Sequence, residues 1–217
     1  MSLPIHSGPH TYLLAGPTGS GKSEIIRHLQ TRNVQALDLE TLCAHDGSVF
    51  ASLTFGKQPT SYQFHKKLLK IWNRFDPQKT IFIESERPRI GGINLPAWLV
   101  TIMNNAPVIL LQVDRTVRQE RLATIIAQAN SHLFSACLLK LHFKLHEEQI
   151  EQANRYLEAE NFAGVADILM TYYDGTPGYT VPDARVRYRL TIANNHSSEI
   201  ADKLLRVITR NPNYLPT

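Results

Sequence analysis

Cysteine is scarce in this chain: Cys43 and Cys137 are the only two. They lie far apart, without a CxxC or a zinc-finger spacing, so a disulfide framework and a thiolate zinc site are excluded and a reduced, cytoplasmic protein is expected. Long hydrophobic runs are missing as well. No apolar stretch approaches the ~20 residues needed to cross a bilayer, so no membrane partner is expected. No signal peptide is visible at Met1 to His10, whose two prolines, glycine and two histidines read as a loose lead-in or linker. Charge of one sign is also in short supply. A formal net charge of +4 is compatible with RNA binding but too small to argue for it alone. What remains, 217 residues with 43% apolar composition, can bury a substantial core. The simplest organisation is one domain over 11–217, with a helical insertion at about 122–173.

The strongest feature stands near the front. Gly16-Pro17-Thr18-Gly19-Ser20-Gly21-Lys22-Ser23 satisfies G-x-x-x-x-G-K-[ST]. An apolar run, Tyr12 to Ala15, precedes it as a buried strand, and Ile25, Ile26 and Leu29 follow at helical spacing. The glycines allow a tight turn whose successive N–H groups meet phosphate oxygens at the positive end of the new helix. Lys22 is expected on the outermost phosphates, and Ser23 on a Mg²⁺ that shares their oxygens. The motif identifies a polyphosphate site without identifying the reaction.

The rest of the chain alternates strands and helices. Val34 to Glu40 reads as a second strand ending in acids, which would bring Asp38 and Glu40 to the ligand crevice; a solvated strand end or a helix N-cap is the alternative. His45 to Pro59 reads as a long shaped loop over the site, and Ser61 to Arg74 as a helix with Phe64, Leu68, Ile71 and Trp72 on one face. Thr80 to Glu84 is an apolar strand finishing in an acid, placed to hold the Mg²⁺ shell or to lie on the surface. Arg87 and Arg89 either contact phosphates or pair with Glu86. After a helix at Pro96 to Asn104 and a strand at Val108 to Asp114, the spacing of Arg115, Arg118 and Arg121 puts them on one side of a helix start. They would clamp phosphates, like the lid of a small-molecule kinase, or form a solvated face. Only helical patterns fill 122–173, where His142 and His146 stand four apart without a third metal ligand. Arg185 to Ile192 alternates strictly, marking an edge strand with three outward arginines. Ser197 is placed to cap the last helix. The predicted architecture is a P-loop NTPase-like three-layer α/β/α fold of the nucleoside-monophosphate-kinase type, with a mainly parallel five-stranded sheet and the helical insertion before the last strand.

A more specific resemblance is carried by Asp38-Leu39-Glu40-x-Leu42-x-Ala44-His45-x-Gly47-Ser48-x-Phe50, by Gln58-Pro59 with Phe64, by Glu84-x-Glu86 with Ile90-Gly91, and by Tyr172-Tyr173-Asp174. In this order they resemble the P-loop domain of tRNA 2-selenouridine synthase over most of Leu13 to Tyr179. The resemblance implies a transferase acting on the wobble 2-thiouridine of tRNA, which attaches a geranyl group from geranyl diphosphate and then replaces sulfur with selenium from selenophosphate. A diphosphate leaving group suits a phosphate loop, a lysine and Mg²⁺. Gly16-Pro17-Thr18 is also similar to tRNA prenyltransferases that use such a loop. On this reading Lys22, Ser23 and the loop amides hold the diphosphate; across the readings Lys22, Glu84 and Asp38 are the candidate catalytic residues, Ser23 and Glu84 the metal ligands, and the loop with Arg118 the site for ATP, GTP or geranyl diphosphate, Asp38 or Glu84 near an acceptor and the arginine lid belonging to a kinase. The family pattern departs at Asp46, Ala51 and Arg87-Pro88-Arg89, which removes anion contacts the pattern implies. It also places a rhodanese domain with an essential cysteine ahead of the P-loop domain, as a removed segment or a separate protein here; neither Cys43 nor Cys137 inherits that role. An ATP-dependent small-molecule kinase and a non-catalytic nucleotide-binding module are the alternatives.

Overall fold

The computed structural model describes residues 11–176, 182–193 and 196–209. In chain order the elements are β1 (Thr11–Ala15), α1 (Lys22–Thr31), β2 (Gln35–Leu37), α2 (Leu39–Cys43), α3 (Ala51–Thr54), α4 (Ser61–Trp72) and β3 (Ile81–Glu84). A hairpin of β4 (Arg89–Ile90) and β5 (Ile93–Asn94) follows, then α5 (Ala97–Asn105), β6 (Val108–Val113), α6 (Arg115–Ala127), α7 (Ser131–Leu139), α8 (Glu147–Glu158), α9 (Phe162–Asp174), β7 (Val186–Ile192) and α10 (Ser197–Thr209).

The strands are apolar runs because helices cover both faces of the sheet. Their side chains alternate between two cores. Leu13, Ala15, Ile81 and Ile83 face α2, α4 and α5, where Phe64, Leu68 and Trp72 are fully buried. Tyr12, Leu14, Phe82 and Leu190 face α1 and α10. The five strands lie in the order β2-β3-β1-β6-β7, and every neighbouring pair is parallel. The chain is therefore a three-layer α/β/α fold with its helical insertion, α6 to α9, ahead of the last strand. The connections leaving β1 and β6 run to opposite sides, so a crevice opens above the carboxyl ends of these adjacent strands. The insertion has its own core of Phe134, Leu138, Leu141, Leu145, Ile150 and Val165, against which Phe50, the N-cap of α3, and Leu53 within α3 also pack.

Three local expectations change, and the tail after Glu84, for which the sequence carries no reading of conformation, takes a defined one. The second strand stops at Leu37, because Asp38 turns the chain into α2 by accepting from the Thr41 N–H. The tail after Glu84 is a two-stranded hairpin, turned by Gly91 at φ +58°, where an added Cβ would overlap Gln58 Oε1 and the His45 ring. Arg185 does not join the edge strand: it sits in a 3₁₀ turn, and its guanidinium donates to the carbonyls of Met103 and Ala106. His146 is the N-cap of α8 and His142 lies in the turn before it, so the pair shares no helix face. Among the described residues no single helix is long and apolar enough to cross a membrane.

Phe134 joins the insertion to the loop over the crevice, stacked on Phe50 with ring centroids 4.5 Å apart at 19°. Phe134→Ala is expected to lower stability by about 3–5 kcal/mol, read as a shift in the chemical-denaturation midpoint at unchanged slope. A loss below about 1 kcal/mol would show that the contact does not hold the two together.

Candidate active site

The loop Gly16 to Ser23 joins β1 to α1, and its backbone is shaped by Gly19 and Gly21 at φ +77° and +81°. Gly21 has a second reason to lack a side chain: a Cβ there would overlap the Arg121 guanidinium. Lys22 Nζ donates to Gly16 O across the loop at 3.0 Å. Ser23, one residue on, points its hydroxyl at two carboxylates, Glu40 Oε2 at 2.6 Å and Glu84 Oε2 at 3.0 Å. Glu84 Oε1 meanwhile accepts from the Glu40 backbone N–H at 2.8 Å. Oxygens of Glu40, Glu84 and Glu86 all lie within 4.8 Å of one another.

Each acid arrives by a local device. Glu84 ends β3 beside β1 and is fully buried. Glu86, two residues further, returns to the same side. Glu40 stands in the first turn of α2, and the Asp38 cap fixes that helix by binding the Thr41 N–H at 2.8 Å and the Thr41 hydroxyl at 2.7 Å. Asp38, a candidate catalytic residue from its sequence position, thus has both oxygens engaged in holding α2, with Arg27 also 3.4 Å from Oδ2.

A hydroxyl has one proton to donate, so Ser23 cannot serve two carboxylates at once. The remaining acceptor needs a proton or a cation. Burial and mutual repulsion push the carboxyls up: Glu84 well above the usual range, Glu40 upward, and Glu86 to about 7 despite the opposing pull of Lys22. The donors are all hard oxygens beside a phosphate loop, a set that fits Mg²⁺. Ser23 and Glu84 are together as expected; Glu40 and Glu86 complete the group. The spacing Glu84-x-Glu86 after a strand was the available signal for the latter.

The arginines of α6 approach the loop from behind. Arg118 forks onto Asp174 at 2.9 and 2.8 Å and donates to Thr18 O at 3.2 Å. Arg121 donates to Gly19 O at 2.9 Å and lies 3.6 Å from Glu24. Arg115 pairs with Asp167 at 2.8 Å. Arg118 and Arg121 are only 7% and 5% exposed, which removes the solvated-face alternative. Arg118, expected on the ligand's phosphates, instead buttresses the loop that would bind them, because its terminal nitrogens are already committed to Asp174 and a loop carbonyl. Ser197 does not act as expected either, since its hydroxyl donates to Glu24 Oε2 at 2.6 Å.

The crevice in front of the loop has a volume of about 1500 Å³. Its lining combines polar side chains, among them Lys22, Ser23, Glu40, Glu86, Arg87 and Arg89, with an apolar set that includes Phe50, Leu53, Phe55, Ile125, Phe134 and Leu169. Neither cysteine offers a nucleophile there. Cys43 is buried with its thiol pushed up to about 12 by burial and the nearby glutamates, and Cys137 is buried in the insertion.

With this geometry in hand, comparison with known proteins gives three findings. A sequence model of the family described as tRNA 2-selenouridine synthase AAA domain matches residues 9–170. No curated protein matches the chain in sequence. Among solved structures, shikimate kinase from Acinetobacter baumannii in complex with shikimate is 16% identical at a TM-score of 0.41, over 96% of this chain and 97% of that one. Dephospho-CoA kinase from Campylobacter jejuni is 11% identical at 0.38, over 93% and 98%. Similarities this distant speak for neither substrate nor reaction.

Two outcomes follow from the site. The raised carboxyls bind more protons folded than unfolded, so without divalent cations their contribution to stability is fully present below about pH 4.5 and is lost as pH rises through about 7. The loss should be about 1–3 kcal/mol between those limits by denaturation at graded pH, and a rise in stability over that window would contradict the protonated cluster. Asp174→Ala leaves Arg118 buried without its carboxylate and should cost about 3 kcal/mol. It should also weaken phosphate-ligand binding, although Asp174 is outside the crevice lining; unaltered binding would show that the loop holds its shape without the fork.

Proposed function

Because the chain belongs to the family of tRNA 2-selenouridine synthase AAA domains, we propose that this nucleotide-binding P-loop domain holds a prenyl diphosphate, geranyl diphosphate by the family resemblance, for transfer to the wobble 2-thiouridine of tRNA. The observation that supports a prenyl donor most is the crevice itself, polar at the phosphate loop and apolar along the wall built by Phe50, Leu53, Ile125 and Phe134. An isoprenoid chain laid against this wall gains about 25 cal/mol for each Å² of apolar surface it buries.

In this reading the thiouridine sulfur forms a bond to the prenyl carbon as the carbon–oxygen bond breaks, the electron pair leaves with the diphosphate, and the N3 proton of the alkylated base is lost to solvent. No phosphoryl group moves. The loop N–H groups and Lys22, released from Gly16 O, bind the diphosphate and meet the charge that grows on its leaving oxygen. Ser23, Glu84 and Glu40 would hold Mg²⁺, with Glu86 beside them, and the ion supplies Lewis-acid neutralisation of the diphosphate. Asp38 positions Glu40 through α2. The apolar wall orients the prenyl chain and keeps water from its reacting carbon. Selenium insertion would draw its cysteine from a rhodanese domain, on a separate chain or elsewhere in the same protein.

Thermal unfolding with Mg²⁺ tests the ligand. Geranyl diphosphate at a hundred times its dissociation constant should stabilise the protein by about 2.7 kcal/mol, and Lys22→Ala should abolish the gain. A Lys22-dependent response to ATP with none to geranyl diphosphate would replace this reading with the kinase one.

A further inference from the structure

The turn between α7 and α8 carries Lys140-Leu141-His142-Phe143-Lys144-Leu145. Leu141 and Leu145 are buried in the core of the insertion, at 1% and 5% exposure, and so fix the turn at both ends. Between them Phe143 is 87% exposed, the highest value for a large hydrophobic side chain among the described residues. His142 is pinned, its Nδ1 donating to Leu139 O at 2.8 Å, and its ring lies against Phe143 with centroids 3.6 Å apart. Lys140 and Lys144 flank the two rings and are exposed. The nearest acids in sequence, Glu147 and Glu148, stand in the first turn of α8, where the helix dipole favours them.

A presented aromatic face with a cation on either side matches the chemistry of unpaired nucleotides, whose bases stack on rings while their phosphates meet lysines. We propose that this turn is a docking platform for an unpaired stretch of RNA, with Phe143 and His142 stacking on bases and Lys140 and Lys144 contacting the flanking phosphates. The inference rests on the tRNA reading above and names the surface that would receive the acceptor. It places that surface on the insertion, which also lines the crevice through Ile125 and Phe134 and whose last helix supplies Asp174 to the loop buttress.

Fluorescence anisotropy with the whole chain would use two probes, a hairpin RNA with an unpaired loop and the same stem as a closed duplex. The unaltered protein should prefer the looped probe. Phe143→Ala should weaken that binding about tenfold, by the loss of one stacked base, with unchanged melting temperature because the side chain is exposed. Lys140→Ala with Lys144→Ala should lower the slope of log affinity against log salt by about 1.4. Tyr62→Ala, which removes another exposed ring (75%) on α4, should change neither. Equal affinity of F143A and the unaltered protein for the looped RNA overturns the platform and leaves the tRNA reading standing. Failure of the unaltered protein to bind either RNA overturns both, and self-association lost in F143A with RNA binding intact assigns the ring to a protein contact instead.

Discussion

One hydroxyl between two carboxylates sets the requirement the rest of this structure meets. Ser23 lies 2.6 Å from Glu40 and 3.0 Å from Glu84, so the start of α1, the first turn of α2 and the end of β3 must converge to hydrogen-bond distance. The parallel register of β1 and β3 delivers Glu84 next to the loop. The Asp38 cap delivers Glu40 by ending β2 early. The cluster is electrostatically unfavourable alone, since three acids share a space that one hydroxyl and one lysine cannot neutralise. Such a cost persists in a fold when a bound cation relieves it.

The loop facing these acids is fixed from the opposite side. Arg118 and Arg121 take the carbonyls of Thr18 and Gly19, and a loop whose carbonyls are held behind presents its N–H groups in front. Both arginines belong to the insertion, and Asp174 at its far end completes the fork on Arg118. The insertion is therefore wall and buttress at once: Phe134 and Ile125 form the apolar side of the crevice while α6 and α9 hold the phosphate end. A contact made by the insertion with another molecule has a short physical route to the loop.

Much of this was legible in the sequence. The apolar runs from Tyr12, Thr80 and Val108 had one reading, because a strand covered on both faces tolerates few polar residues. The phosphate loop and Glu84 followed from the motif and from the acid at a strand end. Glu40 was harder to place, because the run from Val34 reads on through Asp38 and only the capping bond to Thr41 shows that the chain has turned. The spacing of Arg115, Arg118 and Arg121 gave their shared side but not their partners, which lie 56 residues away at Asp174 and 100 at Thr18. Long-range pairing leaves no local periodicity. The same holds for the crevice wall, which draws Phe50, Ile125 and Phe134 from segments that separately read as loop and helix.

Burial and mutual repulsion favour protonation within the cluster of Glu40, Glu84 and Glu86, and a cation bound there displaces that protonation. Calorimetric titration of Mg²⁺ into the protein at pH 7, in two buffers of different ionisation enthalpy, tests it most directly. Release of about one proton per cation bound is expected, with less in Glu84→Gln. Binding of Mg²⁺ with heats independent of the buffer would contradict it.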